Sequence, residues 1–451
     1  MENPKGDDKK NSLVYDIRLT SAVPGKITGK NKTYEFTGID LGMKLHYIKG
    51  LYFFSNNNNS NRFISSEETK EALFSWLITY FMACGRIRMS KSEDGFERPS
   101  MKLNDAGIRL VEGQCSKSVE ECICLAMEDF TCLQDLLVFD HALGPDLQFS
   151  PLVSIQTTWF KCGGIAIGLS WAHVLGDPFS ASEFMDTFGE YMHGHFQFHQ
   201  PKVLTIQHSP QPNCPLSDPT QEPISVKRVD PVGNHWVLPT NCKIGTHTLL
   251  LTQKQLDQLH TKVSGTKHND VKPTQYFEVI TTIMWKSIAK IRDLKTNCVT
   301  VCRPISVKRK GLVPHNGQLL GRINVDFSVS NADPLKLMNA IVDNVVDESE
   351  IVENLVNKEI DKFDFYVYGA NLTFVDMEEA DIYSFKLKEN CPRFACYSID
   401  GIGNKGAVLV VPGPQYGGNG EDHGSKLVVL HLPQDEIEPL KDELIKEWCI
   451  A

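Results

Sequence analysis

The segment that most limits how this chain can fold is a strand that runs straight into a helix through His173-Val174-Leu175-Gly176-Asp177. Before it, Ile165, Ile167, Leu169 and Trp171 alternate with Ala166, Gly168, Ser170 and Ala172. Large side chains therefore cover one face and small ones the other, the pattern of a half-buried strand. After it, Pro178 opens a segment in which Phe184, Met185, Phe188, Tyr191 and Met192 recur at helical spacing, with Asp177 placed as its N-cap. His173 thus falls in a strand-to-helix turn, where a neutral imidazole can take a proton from a hydroxyl or amine attacking an activated carbonyl. A hydrogen-bonded structural histidine is the plainer reading of the same spacing, and Asp177 is structural under both.

At 451 residues and 41% apolar content the chain is long enough for two cores. The polar residues 1–12 read as a disordered tail, 13–192 as a first domain, and 232–451 as a second. Between the domains, 193–231 is rich in Pro, His, Gln and Ser without periodicity and reads as a crossover linker. Ser65 and Glu68 form a capping box before a helix that carries Leu73, Trp76 and Leu77. In the second half, Thr246–Leu251 reads as a strand and the segment bearing Phe277, Ile280, Ile283, Met284 and Ile288 as a helix. Gly406–Val411 and Lys426–Leu432 read as late strands around a glycine-rich hairpin loop, and Asp435–Ile445 as a closing helix. Mixed elements in both halves indicate an α/β or α+β architecture.

The net charge of -10 argues against nucleic-acid binding. Thirteen cysteines without a Cys-x-x-Cys pair fit a reducing compartment and indicate neither a disulfide framework nor a zinc module. The N-terminal residues are too polar for a signal peptide, and no apolar run approaches the ~20 residues of a membrane span, so a cytoplasmic chain with at most peripheral membrane association is expected. His193, His195 and His199 lack supporting ligands, and no metal is expected there. Lys308-Arg309-Lys310, with Arg303 and Lys227-Arg228, form a weak candidate patch for a phosphate-bearing ligand. Cys162, Cys298 and Cys302 read as core thiols.

Taken together these landmarks resemble the plant BAHD acyl-CoA-dependent acyltransferases, from about Val14 to the C-terminus. The carriers are His173-Val174-Leu175-Gly176-Asp177, Gly85-Arg86, and Phe277-Glu278-Val279-Ile280 with Trp285. The resemblance implies two similar chloramphenicol-acetyltransferase-like domains, each a mixed β-sheet with flanking helices, with a central channel at their interface. It implies acyl-CoA as substrate or ligand with no permanently bound cofactor, and His173 as general base. Asp177 would turn from the channel to pair with an arginine, for which Arg303 is the candidate, and Gly176 would shape the turn. The second family signature, Asp-Phe-Gly-Trp-Gly, corresponds here to Asp381-Ile382-Tyr383-Ser384-Phe385, which keeps the Asp and loses both glycines and the Trp. Bulk at those positions is expected to rule out the same tight path without strain.

Within the family the chain is most similar to the eceriferum and glossy (wax-deficiency) subgroup. The strings that carry this are Asp40-Leu41-Gly42-Met43-Lys44-Leu45-His46-Tyr47, Asp140 to Leu147, Phe160 to Gly164, and Tyr368-Gly369-Ala370-Asn371-Leu372-Thr373-Phe374-Val375. That likeness implies a part in very-long-chain fatty acid elongation for cuticular wax, at the cytosolic face of the endoplasmic reticulum, beside a 3-ketoacyl-CoA synthase. Two readings follow: an acyltransferase using His173, favoured by the intact His-x-x-x-Asp, and an accessory protein of the elongase, favoured by the eroded second signature.

Overall fold

The computed structural model describes residues 13–29, 32–56, 64–91, 97–128, 130–139, 146–194, 221–265, 276–292, 297–305, 313–414 and 424–450. The tail 1–12, most of the glycine-rich loop and residues 195–220 of the expected linker lie outside them. Two mixed sheets organise the chain. The first has six strands in the spatial order Val14–Ala22, Ile108–Cys115, Val153–Phe160, Ile165–Ala172, Tyr47–Phe54 and Phe394–Asp400. Ile108–Cys115 and Val153–Phe160 run parallel and the other neighbours antiparallel.

Strand Ile165–Ala172 is buried along its whole length, on both faces rather than the one its alternation suggested. Its large face meets helix Pro178–Met192, with the Trp171 and Phe184 rings 4.9 Å apart. Its small face lies under the end of helix Phe130–Leu137, so close that a Cβ on Gly168 would collide with the Leu137 carbonyl. Small residues here admit a second layer of protein rather than water. Helix Ser66–Trp76 begins at the expected capping box, Ser65 Oγ accepting from Glu68 N at 3.1 Å and Glu68 Oε2 from Ser65 N at 2.8 Å. It ends in Trp76, whose ring lies 4.0 Å from Phe184 and 5.0 Å from Phe188. Each such ring taken from water contributes about 1.5–3 kcal/mol, which fixes the helix behind the turn at His173 against the sheet.

The second sheet has seven strands in the order Ile244–Leu251, Lys426–Pro433, Ala407–Pro412, Thr373–Asp376, Cys298–Pro304, Gln318–Asn324 and Val345–Asp347. The central pairings of Cys298–Pro304, Thr373–Asp376 and Ala407–Pro412 are parallel. Helix Tyr276–Arg292 covers one face, buried almost end to end, and helix Gln434–Trp448 closes the chain beside it.

The halves are not divided at residue 232. Strand Phe394–Asp400, from the second half of the chain, joins the first sheet by pairing with Tyr47–Phe54, Ser398 opposite Lys49. The stretch read as linker also acquires structure: Lys227–Val229 pairs with Asp364–Tyr366, and Glu348 Oε2 accepts from the N–H groups of Ile224 and Ser225, both at 3.0 Å. One carboxylate thus satisfies two backbone donors. Among the described residues no helix is long and apolar enough to cross a membrane.

Candidate active site at the seam

The turn after Ala172 is held by backbone contacts to the second half of the chain. Residues His173–Leu175 form one tight turn, and the Gly176 carbonyl accepts the Trp171 indole N–H at 2.9 Å. A Cβ on Gly176 would stand 2.7 Å from the His315 nitrogen, so only glycine allows this approach. Asp177 N donates to the His315 carbonyl at 3.1 Å. The Asp177 carboxylate caps its helix through Ser180 N at 2.9 Å and accepts Gly317 N at 3.0 Å. Asn316 Nδ2 completes the clamp, donating to Asp40 Oδ1 at 2.8 Å and to the His173 carbonyl at 3.0 Å. Burial pushes the Asp40 carboxyl up to about 6, against the lowering effect of its bonds to Asn316 and Thr37.

The His173 ring is 0% exposed where the two halves meet. Its Nε2 is 3.0 Å from the Tyr368 hydroxyl, which donates to Gln318 Oε1 at 2.9 Å. A phenol has one proton, and an amide oxygen can only accept. With the Gln318 amide placed so, the phenol proton goes to Gln318 and the Tyr368 oxygen takes its bond from His173 Nε2–H. On the other side of the ring, its hydrogen-bonding neighbours are the His173 carbonyl and the Asn316 side chain. Turning the Gln318 amide over would reverse the relay and still leave Nε2 occupied. Burial pushes His173 down to about 4, its own carbonyl, Asp177 and Asn316 offsetting only part of the desolvation. The imidazole is neutral at pH 7.

His46 lies beside it, ring centroids 6.2 Å apart. Its Nε2 accepts from the backbone N–H groups of Val367 at 2.9 Å and Tyr368 at 3.2 Å, and its carbonyl accepts His173 N at 3.1 Å. Burial, with the neighbouring His173, pushes His46 down to about 3, so it too is a neutral acceptor. His46 thereby anchors the segment that carries the Tyr368 ring, whose phenol burial keeps protonated.

Of the residues singled out from sequence, His173, Gly176 and Asp177 come together as one turn. Arg303 does not join them. It stands at the end of strand Cys298–Pro304, where helix Tyr276–Arg292 begins, so its guanidinium pairs with Glu278 at 3.1 Å and lies 5.2 Å over the Phe277 ring. The bracing of Asp177 expected from Arg303 comes from the N–H groups of Ser180 and Gly317. Asp381 is exposed, and what it contributes is a backbone carbonyl that accepts from Ser384 Oγ at 2.8 Å. The bulk that follows it is accommodated without strain, since neither Tyr383 nor Phe385 has a positive φ. The Tyr383 hydroxyl bridges the N–H and carbonyl of Ala395, each at 3.2 Å, and Phe385 stands edge-on to Tyr52 and Phe54. These side chains secure the strand that the second half lends to the first sheet. His193 pairs with Glu389 at 3.0 Å. His195, His199 and Lys308-Arg309-Lys310 lie outside the described residues.

Sequence reasoning passed over His46, Asn316, Gln318 and Tyr368 as site residues. His46 and Tyr368 sat within strings noted for their likeness alone, and a contact across 195 residues has no local signature.

Residues 21–444 match the Transferase family. The chain is similar to Protein ECERIFERUM 2 of Arabidopsis thaliana, at 34% identity covering 96% of this chain and 98% of the relative. It is similar to Protein ECERIFERUM 26-like of the same plant, at 38% identity covering 96% of each. Among solved structures it resembles vinorine synthase, with a TM-score of 0.69 at 16% identity over 96% of this chain and 98% of the other. It also resembles F. graminearum TRI101 complexed with ethyl coenzyme A, with a TM-score of 0.66 at 12% identity over 93% and 98%. These last two likenesses show the acyltransferase fold.

Proposed function

This chain belongs to the Transferase (BAHD) family, and from that premise we propose that it serves cuticular-wax biosynthesis as an accessory protein of fatty-acid elongation rather than as an acyltransferase. The observation that carries this reading is the hydroxyl of Tyr368 at His173 Nε2. A general base must have its lone pair within hydrogen-bond reach of the hydroxyl it deprotonates. Here that position is filled by a hydroxyl of the chain itself.

The partner under this reading is a 3-ketoacyl-CoA synthase, met at the cytosolic face of the endoplasmic reticulum by peripheral contact. The ligand class is acyl-CoA, in keeping with a fold that holds coenzyme A in solved relatives. Co-expression of the His173→Ala variant with a condensing enzyme is the test. The variant is expected to lengthen the fatty-acid products as the unaltered chain does. A folded variant that no longer lengthens them would count for the catalytic reading through His173 instead.

A further inference from the structure

A second site lies on the far side of the segment Leu45-His46-Tyr47. Leu45 and Tyr47 flank His46 in sequence and face the other way, into a cavity of about 400 Å³ between the two sheets. Leu238, Ile244, Ile399 and Ile402 give it apolar walls, and Val237, 44% exposed, stands at its mouth. Its shape is built in: the Tyr47 hydroxyl donates to the Trp236 carbonyl at 3.1 Å, and the Lys44 ammonium lies 5.2 Å over the Trp236 ring, which fixes the chain at Val237 and Leu238.

One wall is polar. His431 is 5% exposed, and its Nδ1 is 3.1 Å from the Thr246 hydroxyl, while its Nε2 has no hydrogen-bond partner among the described residues. A buried polar atom left unmet is costly unless something supplies the missing bond. Asp400, also in the wall, is already paired with Lys49 at 2.6 Å. A charged head group beside His431 would therefore meet a neutralised ion pair and a neutral imidazole, the lining's other cation, Lys243, being exposed to solvent.

We propose that this cavity binds a primary fatty alcohol, its hydroxyl bonded to His431 Nε2 and its chain laid along the isoleucine and leucine walls. A hydroxyl both donates and accepts, so it satisfies Nε2 in either tautomer of His431. At about 30 Å³ for each methylene-sized group, the cavity takes roughly a dozen carbons, and a longer chain leaves past Val237. The site is independent of whether His173 is catalytic.

Equilibrium dialysis of the full chain with labelled 1-dodecanol tests this. Saturable one-to-one binding is expected, weakened about tenfold in His431→Phe, which loses one hydrogen bond, and abolished in Leu238→Trp, which fills the cavity. Both variants are first checked for an unchanged cooperative melt, and His173→Ala is expected to bind as the unaltered chain does. Undiminished binding by folded Leu238→Trp, or equal competition by dodecane or dodecanoate, would overturn the proposal.

Discussion

His173 is held neutral because its ring is wholly removed from water and the groups around it compensate only part of that loss. This has a consequence for stability with a definite sign. The folded group titrates at about 4 and the unfolded one at about 6.5, so below pH 6.5 the unfolded chain binds a proton that the folded chain refuses. Stability is therefore lost as pH falls from about 6.5 through 4, by on the order of 3 kcal/mol from this one residue. Asp40, raised to about 6, works in the opposite direction over the same interval, so the comparison must be made against a variant. Denaturant unfolding of His173→Asn is expected to show a flatter dependence between pH 6.5 and 4 than the unaltered chain. Parallel curves would mean that the ring is not desolvated. His173, Gly176 and Asp177 were legible in the sequence because a strand end, a glycine and a helix cap are local signals. Arg303 was misassigned because the resemblance that called for an arginine says nothing about which carboxylate one at this strand end will meet.

At the scale of elements, the strand leading to His173 was read correctly as a strand and incorrectly as half-exposed. Alternation of large and small side chains marks two different packing partners just as it marks one partner and solvent, and Gly168 under Leu137 decides the matter. The strand Phe394–Asp400 was not foreseen in the first sheet, because pairing across the molecule leaves no trace in periodicity. Without it, strand Tyr47–Phe54 would present an open edge, and Tyr52 would lose Tyr397, whose hydroxyl lies 2.6 Å from its own. A fragment of residues 13–231 is therefore expected to lack a cooperative thermal transition when expressed alone, and to regain one on co-expression with 232–451. A monomeric 13–231 fragment that melts cooperatively would show the first sheet to be self-sufficient.

Across the whole molecule, the two halves meet through polar contacts that cluster around one turn. The first half supplies Asp40, His46, His173 and Asp177, and the second supplies His315, Asn316, Gly317, Gln318 and Tyr368. The two-sheet architecture could be anticipated from mixed strands and helices and from the family likeness, whereas the closure of the seam over His173 could not, since it depends on one phenol from a distant segment. That closure separates this chain's chemistry from what its retained motif suggests. The ring is preserved, and its reactive nitrogen is already engaged. Nitrogen-15 NMR of the histidine-labelled chain, with His173→Asn to assign the signal, reads this directly. The structure predicts a neutral ring at pH 7 whose Nε2 signal is tied to Tyr368 and shifts in Tyr368→Phe. An Nε2 signal indifferent to Tyr368→Phe would contradict it and return His173 to the role of a waiting base.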